Sequence, residues 1–204
     1  GVFALVGNLG TWNIVAAQDY IEESGVPSVY WGTGSSYQYF NPAEGNERYT
    51  FPVQPIYNTE GRIMYLRAMQ LASLEGSGVT SVSKIGVIHS SSDDGASIKA
   101  GIEEQRKINI QTNPDQPEVI FAQINSTTAT ELASQVQLVK DCDVVIIAGN
   151  QTYFQAAYTA MQTADVRKPV ITSYVNIAPA TVPDEAVDAN ASDIYGGAWG
   201  IIDD

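Results

Sequence analysis

The sequence predicts an α/β protein in which a parallel sheet is covered by helices, the doubly wound architecture. Three observations indicate this fold. Apolar runs of strand length recur along the chain, each is followed at once by a short loop rich in Gly, Ser, Thr and Asn, and a helix-patterned segment comes next. Strands that alternate with helices in this way build parallel sheets with helices on both faces.

The predicted strands are continuous apolar runs, as expected for strands buried on both faces. The first run is Val2 to Val6, and the loop GNLGT follows it directly. The last is the segment DIYGGAWGI, which begins at Asp193. Between them lie Pro27 to Trp31, Lys84 to Ile88, Glu118 to Ile124, Asp143 to Ile147 and Pro169 to Thr172.

The segments between these strands show helical periodicity. Apolar residues recur at intervals of three and four, which places them on one face of a helix. Thr128 and Glu131 have the spacing of a capping box at the start of one such segment. The stripes are Ile14, Ala17 and Ile21; Met64, Ala68 and Leu71; Leu132, Val136 and Val139; Phe154, Ala157, Tyr158 and Met161; and, for a shorter helix, Ile98 and Ile102.

Composition and charge exclude several classes of protein. The 204 residues are 44% hydrophobic, as in globular domains, and no apolar run reaches the roughly 20 residues that a membrane-spanning helix needs. Ten basic and 23 acidic residues give a net charge of −13, which repels phosphate backbones, so nucleic acid is not an expected partner. The single cysteine, Cys142, flanks a predicted strand and is expected to be a packed thiol.

A boundary within the chain is expected at EGSGVTSVS, residues 75 to 83, because this stretch is small, polar and rich in Gly and Ser. We interpret it as a crossing between two lobes. The predicted division is residues 1–75 for the first lobe, 76–83 for the crossing, and 84–204 for the second lobe with the start of a return crossing at its end.

Several segments together resemble the type I periplasmic solute-binding proteins of ABC importers, in particular the leucine/isoleucine/valine-binding branch of the extracellular ligand-binding receptors. VFALVGNLGT, GVPSVYWGTGSS and YTFPVQPIYNTEGR resemble first-lobe units of that family. IGVIHSSSDDG and DVVIIAGNQTYFQAAYTAMQ resemble second-lobe units. The resemblance rests on the order and spacing of these segments and covers most of the chain.

The resemblance implies two Rossmann-like, doubly wound lobes that close around a small solute. It also implies that this chain is a central fragment of the family's length, with an incomplete first lobe and a nearly complete second lobe. An exposed sheet edge and apolar face are therefore expected at residues 2 to 6. Self-association of the fragment through that face is a further expectation.

The loops that follow parallel strands are expected to lie together at the carboxyl ends of the sheet, where ligands of α/β proteins bind. For the first lobe, the resemblance implies ligand contacts from two such loops. Thr11 matches a hydroxyl residue that donates to the ligand carboxylate, and Gly32, Thr33 and Gly34 match the second loop. Thr11 also begins a predicted helix, whose free amides and dipole favour an anion. A helix cap that needs no ligand is the alternative role for Thr11. Tyr57 is either a wall of the cleft or a packed aromatic residue.

For the second lobe, the implied ligand contacts depart from the family pattern. Asp94, Asn150 and Tyr174 stand where branched-chain amino-acid binders place an aromatic, an aromatic and an acidic residue. The acid at the Tyr174 position would pair with a ligand ammonium, and here only Asp93 or Asp94 could replace it. A carboxylate or neutral polar solute is therefore as plausible as an amino acid. Asp94 also fits an acid that merely favours a helix start.

Catalysis is not indicated by the sequence, and no cofactor or metal is expected. His89 precedes three serines, but no Gly-x-Ser-x-Gly elbow and no separate orienting acid accompany it. Asp93 and Asp94 form a pair without further metal ligands at a recognisable spacing. GNLG lacks the Gly-x-Gly-x-x-Gly pattern of dinucleotide sites.

Three functions from different classes remain. The resemblance favours a bacterial extracytoplasmic receptor that delivers an amino acid or similar polar or carboxylate solute to a membrane permease. The same fold also serves as the ligand-sensing domain of membrane receptors or regulators, which is the alternative. A hydrolytic or nucleotide-dependent enzyme is the third and is not favoured.

Overall fold

The computed structural model describes residues 1–36, 50–187 and 190–197 of the chain. Its contacts divide the chain into two compact units, a first unit of residues 1–59 and a second unit of residues 60–204. Both contain parallel strands and helices, so the predicted α/β class is confirmed. The predicted division into lobes at residues 76–83 concerns a two-lobed receptor and stays a prediction.

The first unit contains a parallel sheet of three strands in the order β1-β2-β3. These are β1 (Leu5–Val6), β2 (Ser28–Trp31) and β3 (Thr50–Pro52), and α1 (Thr11–Ser24) connects the first two. The predicted stripe of α1 is confirmed, since Ile14 and Ile21 are buried and cluster with Trp31.

The first apolar run differs from the strand predicted there. Only Leu5–Val6 is a strand, and it lies at the edge of the sheet because it pairs with β2 alone. The side chains of Phe3 and Val6 are 95% and 71% exposed. Burial on both faces was therefore the wrong expectation for this run, whereas the exposed edge and apolar face at residues 2 to 6 are confirmed.

The second unit contains a parallel sheet of five strands in the order β5-β4-β6-β7-β8. Each predicted run from residue 84 onward overlaps one of these strands, although β4 and β6 end two residues and one residue later than predicted. The strands are β4 (Lys84–Ser90), β5 (Glu118–Ile124), β6 (Val144–Ala148), β7 (Val170–Thr172) and β8 (Ile194–Gly196). The helices are α2 (Tyr57–Gln70), which starts in the first unit, α3 (Asp93–Thr112), α4 (Ala129–Val139) and α5 (Thr152–Thr163).

The sheet of the second unit is covered on both faces, as the doubly wound architecture requires. All residues of β6 are buried, and successive strand residues point to opposite faces. On one face, the predicted stripes of α4 and α5 pack against Val145 and Ile147. Where the structure describes the chain, no helix has the length and apolar character needed to cross a membrane.

Helix α3 is longer than the short helix predicted from Ile98 and Ile102. It runs from Asp93 to Thr112, and its buried face also carries Gly95, Gly101 and Gln105. The prediction used the spacing of apolar residues alone. Because small and polar residues also occupy the buried face of α3, that spacing covered only part of the helix. Close packing requires glycine at two positions here: a Cβ at Gly95 of α3 would lie 2.5 Å from the Ser90 carbonyl oxygen, and a Cβ at Gly61 of α2 would lie 2.1 Å from the Ile98 carbonyl oxygen.

The predicted capping box at α4 does not form. Thr128 occupies the cap position without a side-chain hydrogen bond to the helix. Glu131 instead accepts hydrogen bonds from the Asn125 amide, at 2.5 Å, and from the Ser126 hydroxyl. The donors of the preceding loop therefore outcompete the Thr128 amide for this carboxylate.

Cys142 is buried and is not in a disulfide. Burial, followed by the nearby charge of Asp143, raises the pKa of its thiol to about 11. The thiol is therefore protonated at neutral pH and is a poor nucleophile, in agreement with the packed role predicted for it.

Candidate functional site

In the first unit, the loops after β1 and β2 meet at the carboxyl ends of these strands. The Thr11 and Thr33 hydroxyl oxygens lie 2.9 Å apart in a hydrogen bond. The Gly10 amide donates to the Gly32 carbonyl, and the Gly32 amide donates to the Asn8 carbonyl. These bonds extend the pairing of β1 and β2 into the two loops, which were predicted to lie together.

Thr11 is not a simple helix cap. Gly10 is the cap residue, with a φ of 92° that favours glycine, and Thr11 is the first residue of α1. The Thr11 hydroxyl bonds to Thr33 instead of to a helix amide. The alternative role considered from the sequence is therefore wrong, while a ligand contact by Thr11 stays a prediction.

The remainder of the first-unit group is tightly packed. The Tyr57 amide donates to the Gly34 carbonyl at 2.7 Å, and a Cβ at Gly34 would lie 2.6 Å from the Tyr57 ring. Tyr57 is thus a buried aromatic residue that requires glycine at position 34. Beside them, the Ser35 hydroxyl is fully buried and has no hydrogen-bond partner among the described residues.

In the second unit, Asp94 joins the loop after β4 to the loop after β6. Its Oδ2 accepts from the Asn150 amide at 2.9 Å. Its Oδ1 accepts from the Ser92 hydroxyl and, at 3.5 Å, from the Ser90 hydroxyl. Asp94 is 6% exposed, so the structure gives this carboxylate a role in joining loops. The predicted contacts of Asp94 and Asn150 with a ligand stay predictions.

The loop after β6 is held from the other side by Asn176. This buried side chain donates to the Gly149 carbonyl at 2.9 Å and accepts from the Gln151 amide at 2.7 Å. Gln151 has a φ of 45°, which is unusual for a residue with a side chain. The Asn176 side chain therefore holds a strained backbone at Gln151, next to Asn150, and such strain is concentrated at functional sites.

Tyr174 lies in the turn after β7, and a residue that the sequence analysis missed holds this turn. The Tyr174 amide donates to Glu60 Oε1 at 2.7 Å, and the Ser173 hydroxyl donates to Glu60 Oε2 at 2.9 Å. Glu60 is an acid in the first turn of α2 and is 6% exposed. Its position in the helix was visible in the sequence, but its partners more than one hundred residues away were not.

The environment of Glu60 favours the protonated carboxyl group. Burial raises its pKa to about 7, although the Tyr174 amide and the Ser173 hydroxyl both act to lower it. The described residues place no basic side chain in an ion pair with Glu60. Desolvation therefore outweighs the two hydrogen bonds.

His89 does not form a nucleophile pair with the serines that follow it. Its Nδ1 lies 3.1 Å from the Ser90 carbonyl oxygen, and its ring packs edge-on against Phe121. The Ser90 hydroxyl contacts Ser92 and Asp94. Burial lowers the pKa of His89, so the imidazole is neutral at pH 7. The described contacts therefore give no activated serine.

A cavity of about 410 Å³ lies at the opposite edge of the second-unit sheet. It is lined by residues that precede strands, including Asp143, Pro169 and Asp193. None of the predicted site residues lines it. This cavity is therefore distinct from the loops at the carboxyl ends of the strands.

The fold and the position of these loops define the chain as an example of the type I periplasmic-binding-protein fold. An extracellular ligand-binding receptor from Verminephrobacter eiseniae is similar at 19% identity, with a TM-score of 0.63, over 84% of this chain and 44% of its own. A substrate-binding periplasmic protein from Ralstonia solanacearum is similar at 18% identity, with a TM-score of 0.62, over 85% and 44%. A periplasmic binding protein type 1 from Bordetella pertussis Tohama I has 16% identity and a TM-score of 0.61, over 88% and 46%.

These likenesses show the fold, as the resemblance implied. The chain spans less than half of the length of each of these three proteins. No model of a known protein family matches the sequence. No curated protein matches it either.

Proposed function

We propose that this chain belongs to an extracytoplasmic bacterial receptor that captures an amino acid or a similar small polar or carboxylate solute for an ABC importer. The membrane permease of that importer is the proposed partner. The fold of the solved receptors and periplasmic proteins supports this proposal. A non-enzymatic role is part of it, because those proteins are described as binding proteins.

The observation that carries the proposal is the gathering of polar groups at the carboxyl ends of the strands within each unit. In the first unit these are the hydroxyls of Thr11 and Thr33. In the second unit they are the loops of Asn150 and Tyr174. Ligands of open α/β sheets bind at this edge. Loops already held by side chains also lose little freedom when a ligand binds.

A thermal-shift screen tests the proposal. The 204-residue chain is mixed with one solute at a time: each standard L-amino acid, acetate, pyruvate or succinate. If the gene encodes a longer product, that protein is screened in the same way. A solute that binds only the folded state stabilises it and therefore raises the Tm. At a solute concentration of one hundred times the Kd, this stabilisation is about 2.7 kcal/mol. No shift with any probe would count against this class of solute.

Two threonine variants supply the test and its control. Thr11→Ala removes a predicted ligand contact and should reduce the Tm increase that a bound solute produces. Thr128→Ala removes a hydroxyl at the start of α4 that is not a predicted contact. Equal increases in both variants would remove Thr11 from the site.

The gene sequence that flanks this chain distinguishes a transport receptor from a sensing domain. A kinase segment after a membrane helix would favour the alternative function, the ligand-sensing domain of a membrane receptor.

A further inference from the structure

Glu60 makes a longer-range connection than an ordinary first-turn acid. Its two carboxylate oxygens accept from two adjacent residues of the turn after β7, 113 and 114 positions further along the chain. The same turn carries Asn176, which holds the loop after β6 at Gly149 and Gln151. One carboxyl group thus supports the turn of Tyr174 and, through it, a second candidate loop.

We propose that Glu60 is a positioning residue of the candidate site, whose carboxyl group holds the turn of Tyr174 firmly when it carries a proton and less firmly when it is ionised. The part that concerns solute binding rests on the proposed function. The part that concerns the turn rests on the contacts of Glu60 with Ser173 and Tyr174, on the burial of its carboxyl group, and on the lack of an ion pair to it among the described residues.

The direction follows from linkage between protonation and local opening. When the turn opens, Glu60 becomes hydrated and its pKa returns toward 4.5 from about 7 in the held state. The held turn therefore binds the proton more tightly than the open turn. Its stability is fully present below pH 4.5 and is lost as the pH rises through 7.

Within residues 1–36, 50–187 and 190–197, few other groups act on the titration of Glu60. From β7 and its turn, the contacts are the Ser173 hydroxyl and the Tyr174 amide. Gly197, after β8, brings no charge. On α2 itself, Arg62 donates to Gln105 and Arg67 lies over the ring of Tyr195.

Protonation of Glu60 keeps both contacts and reverses the direction of one of them, the hydrogen bond with Ser173. The protonated carboxyl group accepts from the Tyr174 amide through its carbonyl oxygen and donates its proton to the Ser173 hydroxyl oxygen. A glutamine side chain makes the same two bonds, with its amide oxygen and its NH₂ group. Glu60→Gln is therefore a permanent mimic of the protonated state.

Hydrogen exchange of the Tyr174 amide in the 204-residue chain tests the proposal. In the wild type, we expect its protection factor to fall on the order of 100-fold between pH 5 and pH 8.5. In Glu60→Gln it should change by less than about threefold, since the titrating group is gone. Protection that is independent of pH in the wild type, or equally dependent in Glu60→Gln, would overturn the proposal.

Two further variants keep the test decisive. Ser173→Ala removes a donor that lowers the pKa of Glu60. The pH at which the protection factor of the Tyr174 amide falls should therefore rise. An unchanged midpoint would contradict the assigned contact. Glu131→Gln is the matched control, because Glu131 also accepts from a backbone amide and a serine hydroxyl of a strand-end loop, and in addition from the Asn125 side chain. It should leave the exchange of Tyr174 as in the wild type.

Solute binding is measured with the probes of the thermal-shift screen. For a probe that raises the Tm, the increase should be smaller at pH 8.5 than at pH 6 in the wild type, and this difference should vanish in Glu60→Gln. Equal pH dependence in both would overturn the link to binding. If no probe raises the Tm of the wild type, the proposed function fails while hydrogen exchange still decides the role of Glu60.

Discussion

The strand-end loops of the two units are held together by different chemistry. In the first unit, the hydroxyls of Thr11 and Thr33 and the backbone of Gly32 join the loops. In the second unit, the buried carboxyl groups of Asp94 and Glu60 do so. Hydroxyl and amide bonds do not titrate, whereas the burial that raises the pKa of Glu60 connects the position of the Tyr174 turn to pH. The comparison therefore predicts that the second-unit loops carry most of the pH response.

The largest expected effect concerns the stability of the second unit. Glu60 keeps its proton to about pH 7 in the folded chain and to about 4.5 in the unfolded chain. The folded state binds more protons between these values, so Glu60 lowers the unfolding free energy by on the order of 3 kcal/mol as the pH rises from 4.5 to 8. Urea titrations followed by circular dichroism measure this dependence, and Glu60→Gln should reduce it.

A similar but smaller effect is expected for Asp94→Ala. This change leaves the Asn150 amide and the Ser92 hydroxyl without their acceptor, which costs about 2 to 3 kcal/mol. Asp94→Asn can keep an acceptor for the Asn150 amide and should cost less. Urea unfolding of both variants checks the difference. Equal stability of Asp94→Ala and the wild type would show that Asp94 does not join these loops.

In the first unit, Thr11→Ala should lower stability by about 1 kcal/mol, the usual net value of one hydrogen bond. The effect should be the same at pH 5 and pH 8, because no titrating group takes part. With Trp199 replaced by Phe, the fluorescence of Trp12 and Trp31 during urea unfolding follows this unit. A loss that depends on pH would contradict the contrast between the two units.

The smallest effect is expected for Glu131→Gln, at the surface. The Ser126 hydroxyl and then the Asn125 amide lower the pKa of Glu131. Its contribution is therefore present above the ordinary pKa of a glutamate and is lost as the pH falls, opposite in sign to that of Glu60. Urea unfolding of Glu131→Gln and the wild type from pH 3 to 6 measures the sign, and a loss confined to high pH would refute it.

The spacing of apolar residues predicted the architecture well, because strands and helices each give it a characteristic repeat. The run Glu118 to Ile124 and the stripe of Phe154 and Met161 appear as a strand and a helix face. The capping box failed because nearby donors at Asn125 and Ser126 compete for Glu131. Such competition depends on distances that the spacing of residues does not encode.

The candidate site was less accessible to prediction than the fold. The proximity of the loops of Thr11 and Thr33 was expected, since carboxyl ends of parallel strands share one edge. Glu60 was missed because its partners at Ser173 and Tyr174 come from a distant strand. Burial of an acid arises from tertiary packing, which no local pattern of charge reveals.

The close packing at Gly61 restricts how this sequence can diverge. An added methyl group there would overlap the carbonyl oxygen of Ile98, and backbone yields less readily than a flexible side chain. Descendants that keep the spacing of α2 and α3 must therefore retain glycine at this position. A natural variant with a larger residue at position 61 should carry compensating changes along both helices.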